Sequence, residues 1–239
     1  MRLLGLLIRR FGFAALWPIT TILLIGTIHY VFYVVPEEAT MGIVQKIFYF
    51  HVPAAVSGMY LGATICFFGS AFYLARGSVR ADAIARAGAE VAVTTGMMVM
   101  ISGPLWGVKA WGHYWTWDAQ LTTFLLSLLI YVAYVVLRAF TGGGEAERKF
   151  AAALGVLGAA NLPIIHFAVT KWGGTHPEVM RGKGGGLTDP RMGVGILLGF
   201  LSFTLLTALL TWVRSRQHMA EALLEEVEHE ALEAGVIED

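Results

Sequence analysis

The chain has 239 residues, of which 56% are hydrophobic and 14% charged, with a mean hydropathy of +0.65. A water-soluble globular domain needs far more polar surface than this, so the composition specifies an integral membrane protein. Seventeen basic residues balance seventeen acidic ones, which removes any general attraction to nucleic acid, and the lone Cys66 excludes an internal disulfide framework or a cysteine-only metal cluster.

Crossing about 30 Å of hydrocarbon takes about 20 helical residues. Six apolar stretches qualify, at 14–35, 52–75, 84–103, 121–139, 150–169 and 192–213. Backbone polar groups in lipid must be satisfied within the element, and the period-two alternation of a membrane barrel is absent. The expected fold is therefore all-α, a bundle of six transmembrane helices spanning residues 1–213. The first stretch follows Arg9 and Arg10, is longer than a signal-peptide core and lacks a small-residue cleavage site, so it is read as a retained span.

Lys and Arg in the loops set the orientation. One side collects Arg2, Arg9, Arg10, Arg76, Arg80, Arg86, Arg138, Arg148, Lys149, Arg214 and Arg216 and is expected to be cytoplasmic, with both termini there. The other side holds Lys46, Lys109, Lys171, Arg181, Lys183 and Arg191. The last outer loop, 170–190, thus carries positive charge against the prevailing bias, as an anion-binding loop would. Trp17 and Trp212 fall at cytoplasmic span ends, where interfacial belts place tryptophan. Pro53 lies early in span two, Pro104 is expected to close span three, and Pro163 to kink span five.

Between spans three and four runs WGVKAWGHYWTWD, residues 106–118, with four of the seven tryptophans. An anchoring belt spreads its aromatics among helices, whereas this cluster is concentrated in one loop, as a platform for a flat ligand would be. If residues 111–122 are helical, Trp111, Trp115, Asp118 and Thr122 share one face and His113 and Trp117 the other. Asp118 is placed to accept an indole N–H or to cap the following span. After Arg214 the chain becomes an acidic amphipathic helix, so residues 214–239 form a cytoplasmic tail in which His218 and His229 are expected to be solvated.

His51, in FYFHVPAA, and His176, in KWGGTHPE, come from different elements on the outer side. Two imidazoles approaching from opposite directions above a tryptophan surface suit a six-coordinate haem iron, and Lys171, Arg181, Lys183 and Arg191 suit its propionates. His29, His113 and His166 are rival ligands. A zinc site lacks the close ligand spacing it requires, and no P-loop, G-x-S-x-G or H-E-x-x-H is present, so no catalytic residue is assigned. A b-type electron-transfer cytochrome and a permease subunit of an ABC-type exporter stay open as alternatives.

The segment WGVKAWGHYWTWDAQLTT resembles the tryptophan-rich WWD signature of the haem-handling proteins of bacterial cytochrome c biogenesis, and the six spans with flanking outer histidines are similar to the CcmC branch of that family. The last outer loop keeps a tryptophan, Trp172, before its histidine. The resemblance implies that haem b is bound at the periplasmic face of the inner membrane, with His51 and His176 as axial ligands. The motif and the loop tryptophan give Trp106, Trp111, Trp115, Trp117, Asp118 and Trp172 as haem contacts, and the loop's unusual positive charge, rather than the resemblance, adds Arg181 and Lys183. The resemblance further implies transfer to a CcmE-like periplasmic chaperone alongside CcmA-, CcmB- and CcmD-like subunits, by binding and release rather than enzymatic turnover.

Overall fold

A computed structural model describes residues 2–140, 144–173 and 187–235. Helices form the architecture, with no β-strand among the described residues. Six helical segments are long and apolar enough to cross a membrane.

Helix α1 (Arg2–His29) runs on through a wide π turn at Tyr30–Val34. Its end leaves backbone carbonyls without helical partners. Lys46 answers them, donating to the carbonyls of Phe32 at 2.8 Å and Val35 at 3.4 Å, and is almost wholly buried as a result. A lysine counted as a loop charge is therefore a helix cap.

The second crossing is irregular. It opens with a 3-10 turn at Ile43–Ile47, passes through α2 (Phe48–Pro53) and a π stretch at Ala54–Tyr60, and becomes regular in α3 (Leu61–Arg76). Gly77, at φ +65°, ends α3 in the left-handed conformation that glycine adopts without strain. Ser78 then caps α4 (Val79–Trp111) by accepting from the Ala81 amide.

Helices α3 and α4 meet through small residues. A side chain added at Gly62 would stand 2.8 Å from the Gly88 carbonyl oxygen and 2.9 Å from the Ala92 nitrogen, and one at Gly69 would strike Ala81 and Ala85. Between helices in lipid, such close backbone approach supplies the van der Waals contact that replaces a hydrophobic drive. Cys66, Ala85, Ala89 and Ala92 fill the seam and are buried.

Pro104 does not close α4: the helix continues through it to Trp111. The proline withdraws only the amide that the Met100 carbonyl would have accepted, while α4 stops where Gly112 takes φ +81°. Helix α5 (Ala119–Phe140) follows, then α6 (Glu145–Ala160) and α7 (Leu162–Trp172). The expected kink near Pro163 is a break at Asn161, because the proline ring cannot fit over the carbonyl four residues earlier. The Asn161 amide repairs the break by donating to the Thr123 carbonyl at 2.7 Å and to Ser127 Oγ at 2.8 Å.

Helix α8 (Pro190–Glu233) is continuous over 44 residues, so the acidic tail is an extension of the sixth crossing. It stays packed on α4. Arg214 pairs with Glu90, and His218 lies between Glu90 Oε1 at 3.0 Å and Glu221 Oε2 at 2.9 Å. His218 is 4% exposed, which corrects the expectation of a solvated tail histidine. Nearby, Arg138 is buried between Asp82 at 2.9 Å and Glu147 at 3.3 Å.

Two stability measurements follow from this packing. Gly62→Leu should force α3 from α4 and lower the thermal unfolding midpoint of detergent-purified protein by the equivalent of about 1–3 kcal/mol, the usual cost of overpacking. Arg138→Ala should cost more, about 3–5 kcal/mol, because it withdraws the buried guanidinium that the Asp82 and Glu147 carboxylates share. Arg216→Ala serves as the exposed-side control and should leave the midpoint unchanged.

Candidate functional site

The site is built where α4 rises beside the irregular second crossing. His51 sits near the end of α2, two residues before Pro53 and the π stretch, a wide-turn geometry that recurs at functional positions. Its imidazole lies against α4: a Cβ at Gly103 would stand 3.1 Å from His51 Cε1. His51 Nδ1 is 2.9 Å from Ser102 Oγ. One turn further along α4, Trp106 donates its indole N–H to Gln45 Oε1 at 3.2 Å, tying the helix to the 3-10 turn that leads into His51.

The tryptophan segment is not the helix that its spacing suggested. After Gly112 the chain runs without regular structure to Asp118, and α5 begins at Ala119. Asp118 performs the capping role, with Oδ1 accepting from the Leu121 amide at 2.8 Å and Oδ2 from the Thr116 hydroxyl at 3.2 Å. The indoles consequently pack in two edge-to-face pairs, Trp106 with Trp111 at 5.8 Å and 81°, and Trp115 with Trp117 at 5.6 Å and 79°. Gly107 makes room for Trp111, whose ring would lie 2.9 Å from a Cβ there.

These residues surround an open-mouthed cavity of about 240 Å³. Trp106, Trp111 and Trp115 line it together with His51, while Met100, Phe124 and Ile165 extend the apolar wall. His166, from α7, lines the same cavity. One expected platform residue stays outside the lining: Trp117 is 77% exposed. Trp172, at the end of α7, is also exposed and outside it.

Two polar side-chain atoms beside the cavity are closed off from it as well as from solvent. Trp115 Nε1 and Gln120 Oε1 are shielded from solvent and have no hydrogen-bond partner among the described residues. Both residues belong to the lining. A buried donor or acceptor left unmet costs about 1–3 kcal/mol.

His176, Arg181 and Lys183 lie outside the described residues. At the edge of their loop, Asp189 caps α8 and forms a two-pronged pair with Arg191, at 3.0 and 2.8 Å. Hydrogen bonds from Arg191 hold the Asp189 carboxyl low, at about 2. The Arg191 charge is thus matched locally, which weakens its standing as a propionate partner.

Sequence reading named His51 and the indoles but passed over Ser102, Gly103 and Gln120. None carries a motif, and each matters only through a neighbour that the fold supplies.

The family model described as heme exporter protein C, CcmC, matches residues 7–230. Heme exporter protein C of Bradyrhizobium diazoefficiens is 34% identical over 72% of this chain and 65% of its own length, so the match spans just under two thirds of that relative. The protein of the same description from Escherichia coli K12 is 33% identical over 76% of this chain and 73% of its own. A putative cytochrome c biosynthesis ccmC-like mitochondrial protein of Marchantia polymorpha is 26% identical over 77% and 78%. With its six apolar helices and its tryptophan-lined cavity beside His51, the chain belongs to the heme exporter protein C family.

Proposed function

We propose that this protein binds haem at the periplasmic face of the bacterial inner membrane and presents it to a CcmE-like chaperone for cytochrome c maturation. The observation that carries the reading is the cavity joining His51 to Trp106, Trp111 and Trp115. Apolar aromatic walls suit the porphyrin faces, and a neutral imidazole suits the iron. The relatives named as heme exporters support the same cargo.

In this reading the cargo is haem b, with His51 and His176 as its axial ligands. Trp115 joins Trp106 and Trp111 as cavity wall, Arg181 and Lys183 pair with propionates, and Trp117 and Trp172 flank the mouth and lipid surface. Asp118 acts indirectly by fixing the start of α5. The bias of Lys and Arg toward one side's loops supports cytoplasmic termini and an outward-facing cavity. CcmA-, CcmB- and CcmD-like subunits accompany the chain, which works by binding and release rather than by catalytic turnover. With both axial positions held by histidine, dioxygen finds no open iron site.

A second reading rests on His166, which shares the cavity wall with His51. Here the iron is held by His51 and His166, deeper within the bundle. Absorption and electron paramagnetic resonance spectra of the purified chain separate the two. Six-coordinate low-spin haem should be lost in His51→Ala and His176→Ala and kept in His166→Ala. Loss in His166→Ala with retention in His176→Ala would establish the deeper pair. A chain whose haem content is indifferent to all three would sink both readings, as would reversible quinone-linked turnover for the carrier role.

Within the tryptophan pairs, Trp115→Ala should weaken haem retention at least tenfold, about 1.4 kcal/mol, because it removes cavity wall. Trp117→Ala should have a much smaller effect, since that ring is largely exposed. Titration of haem into the apo-protein, followed at the Soret band, measures both; equal losses would mean that the segment acts as a unit rather than through its lining members.

A further inference from the structure

We propose that Ser102 is a positioning residue that fixes the tautomer of His51, so that Nε2 carries the lone pair offered to a metal in the cavity. The metal assignment rests on the haem-binding reading above; the tautomer assignment stands on hydrogen bonding alone.

A hydroxyl has one proton to donate and two lone pairs to accept with. Ser102 Oγ stands 2.7 Å from the carbonyl oxygen of Met98, four residues back along α4, and 3.5 Å from that of Val99. Two oxygens at 2.7 Å without a proton between them repel, so the hydroxyl proton belongs to the Met98 bond. Toward His51 Nδ1, at 2.9 Å, Ser102 Oγ can then only accept. The proton of a neutral His51 ring therefore sits on Nδ1, and Nε2 is the basic nitrogen. The other tautomer would set two lone pairs against each other across the same 2.9 Å.

Gly103 completes the seat. The ring lies so near α4 that a methyl group at Gly103 would stand 3.1 Å from Cε1 and 4.0 Å from Nε2. Ser102 holds one edge of the imidazole while Gly103 clears the space beside it. Both sit on the turn of α4 that reaches Trp106, so the imidazole and the indole wall share one rigid support. In metal sites, a hydrogen bond from the second ring nitrogen orients the ligand and raises its basicity, and its removal typically costs 10–100-fold in affinity.

The test uses the full chain with ¹⁵N-labelled histidine, before and after haem addition. In the haem-free protein, His51 should give a protonated-type Nδ1 and an unprotonated-type Nε2 resonance, assigned by its disappearance in His51→Ala. Ser102→Ala keeps a good helix former in place and should give a tautomer mixture. It should also lower haem affinity 10–100-fold and shift the low-spin electron paramagnetic resonance signature. Ser102→Thr, which retains a back-bonded hydroxyl, should restore all three. A wild-type ring protonated on Nε2, or Ser102→Ala with unchanged tautomer and haem signature, would overturn the proposal. Absence of haem binding in wild type would overturn the metal role and the functional reading with it, whereas the nitrogen resonances of the haem-free chain decide the Ser102 assignment independently.

Discussion

Helices surrounded by lipid gain little from hiding apolar side chains from one another, since the surroundings are equally apolar. What holds α3 to α4 is the closeness that Gly62, Gly69 and Gly88 permit, and the rest of the site inherits its geometry from that seam. Helix α4 rises from the seam to bring Ser102, Gly103 and Trp106 alongside the stretch that contains His51. The relation between the imidazole and the indoles is consequently set by backbone contacts several turns away. A substitution deep in the seam would act on the cavity without touching it.

The six crossings were legible because bilayer thickness imposes a length on every apolar run, and a run of that length admits few other readings. The aromatic segment was legible by its density alone. Its path was not: helical periodicity placed Trp111 and Trp115 on one face, but Gly112 ends α4 and Asp118 starts α5, so one tryptophan pair lies in α4 and the other in the irregular link that follows. Pro104 misled in the opposite direction, because a long helix absorbs one missing hydrogen bond when packing holds it straight. Ser102 was invisible in the sequence, since a serine bonded to its own helix looks like any other membrane serine until a histidine 51 residues away is placed beside it.

Charge was read from the sequence chiefly as sidedness, and the structure gives several of the same residues a second task. Arg138 is sealed between Asp82 and Glu147, Arg214 and His218 converge on Glu90, and Arg148 reaches Glu225 on α8. These groups tie helices together on the face opposite the tryptophans. Lys46 does so on the tryptophan side, closing the end of α1. Charges that looked like loop solvation therefore locate the helix ends, and the bundle is clamped electrostatically at both ends while its middle is closed by small residues.

Helix α8 links those two ends in one piece. At about 1.5 Å per residue its 44 residues reach about 66 Å, roughly twice the ~30 Å hydrocarbon layer, with no break recorded along the way. Near its beginning, Gly195 and Gly199 lie against Tyr49, two positions from His51, and toward its far end Glu221 and Glu225 pair with Arg86 and Arg148. Such an element behaves as a stiff shaft. Without a hinge between them, the charged pairs at one end and the segment beneath the candidate iron ligand at the other are held by the same rod.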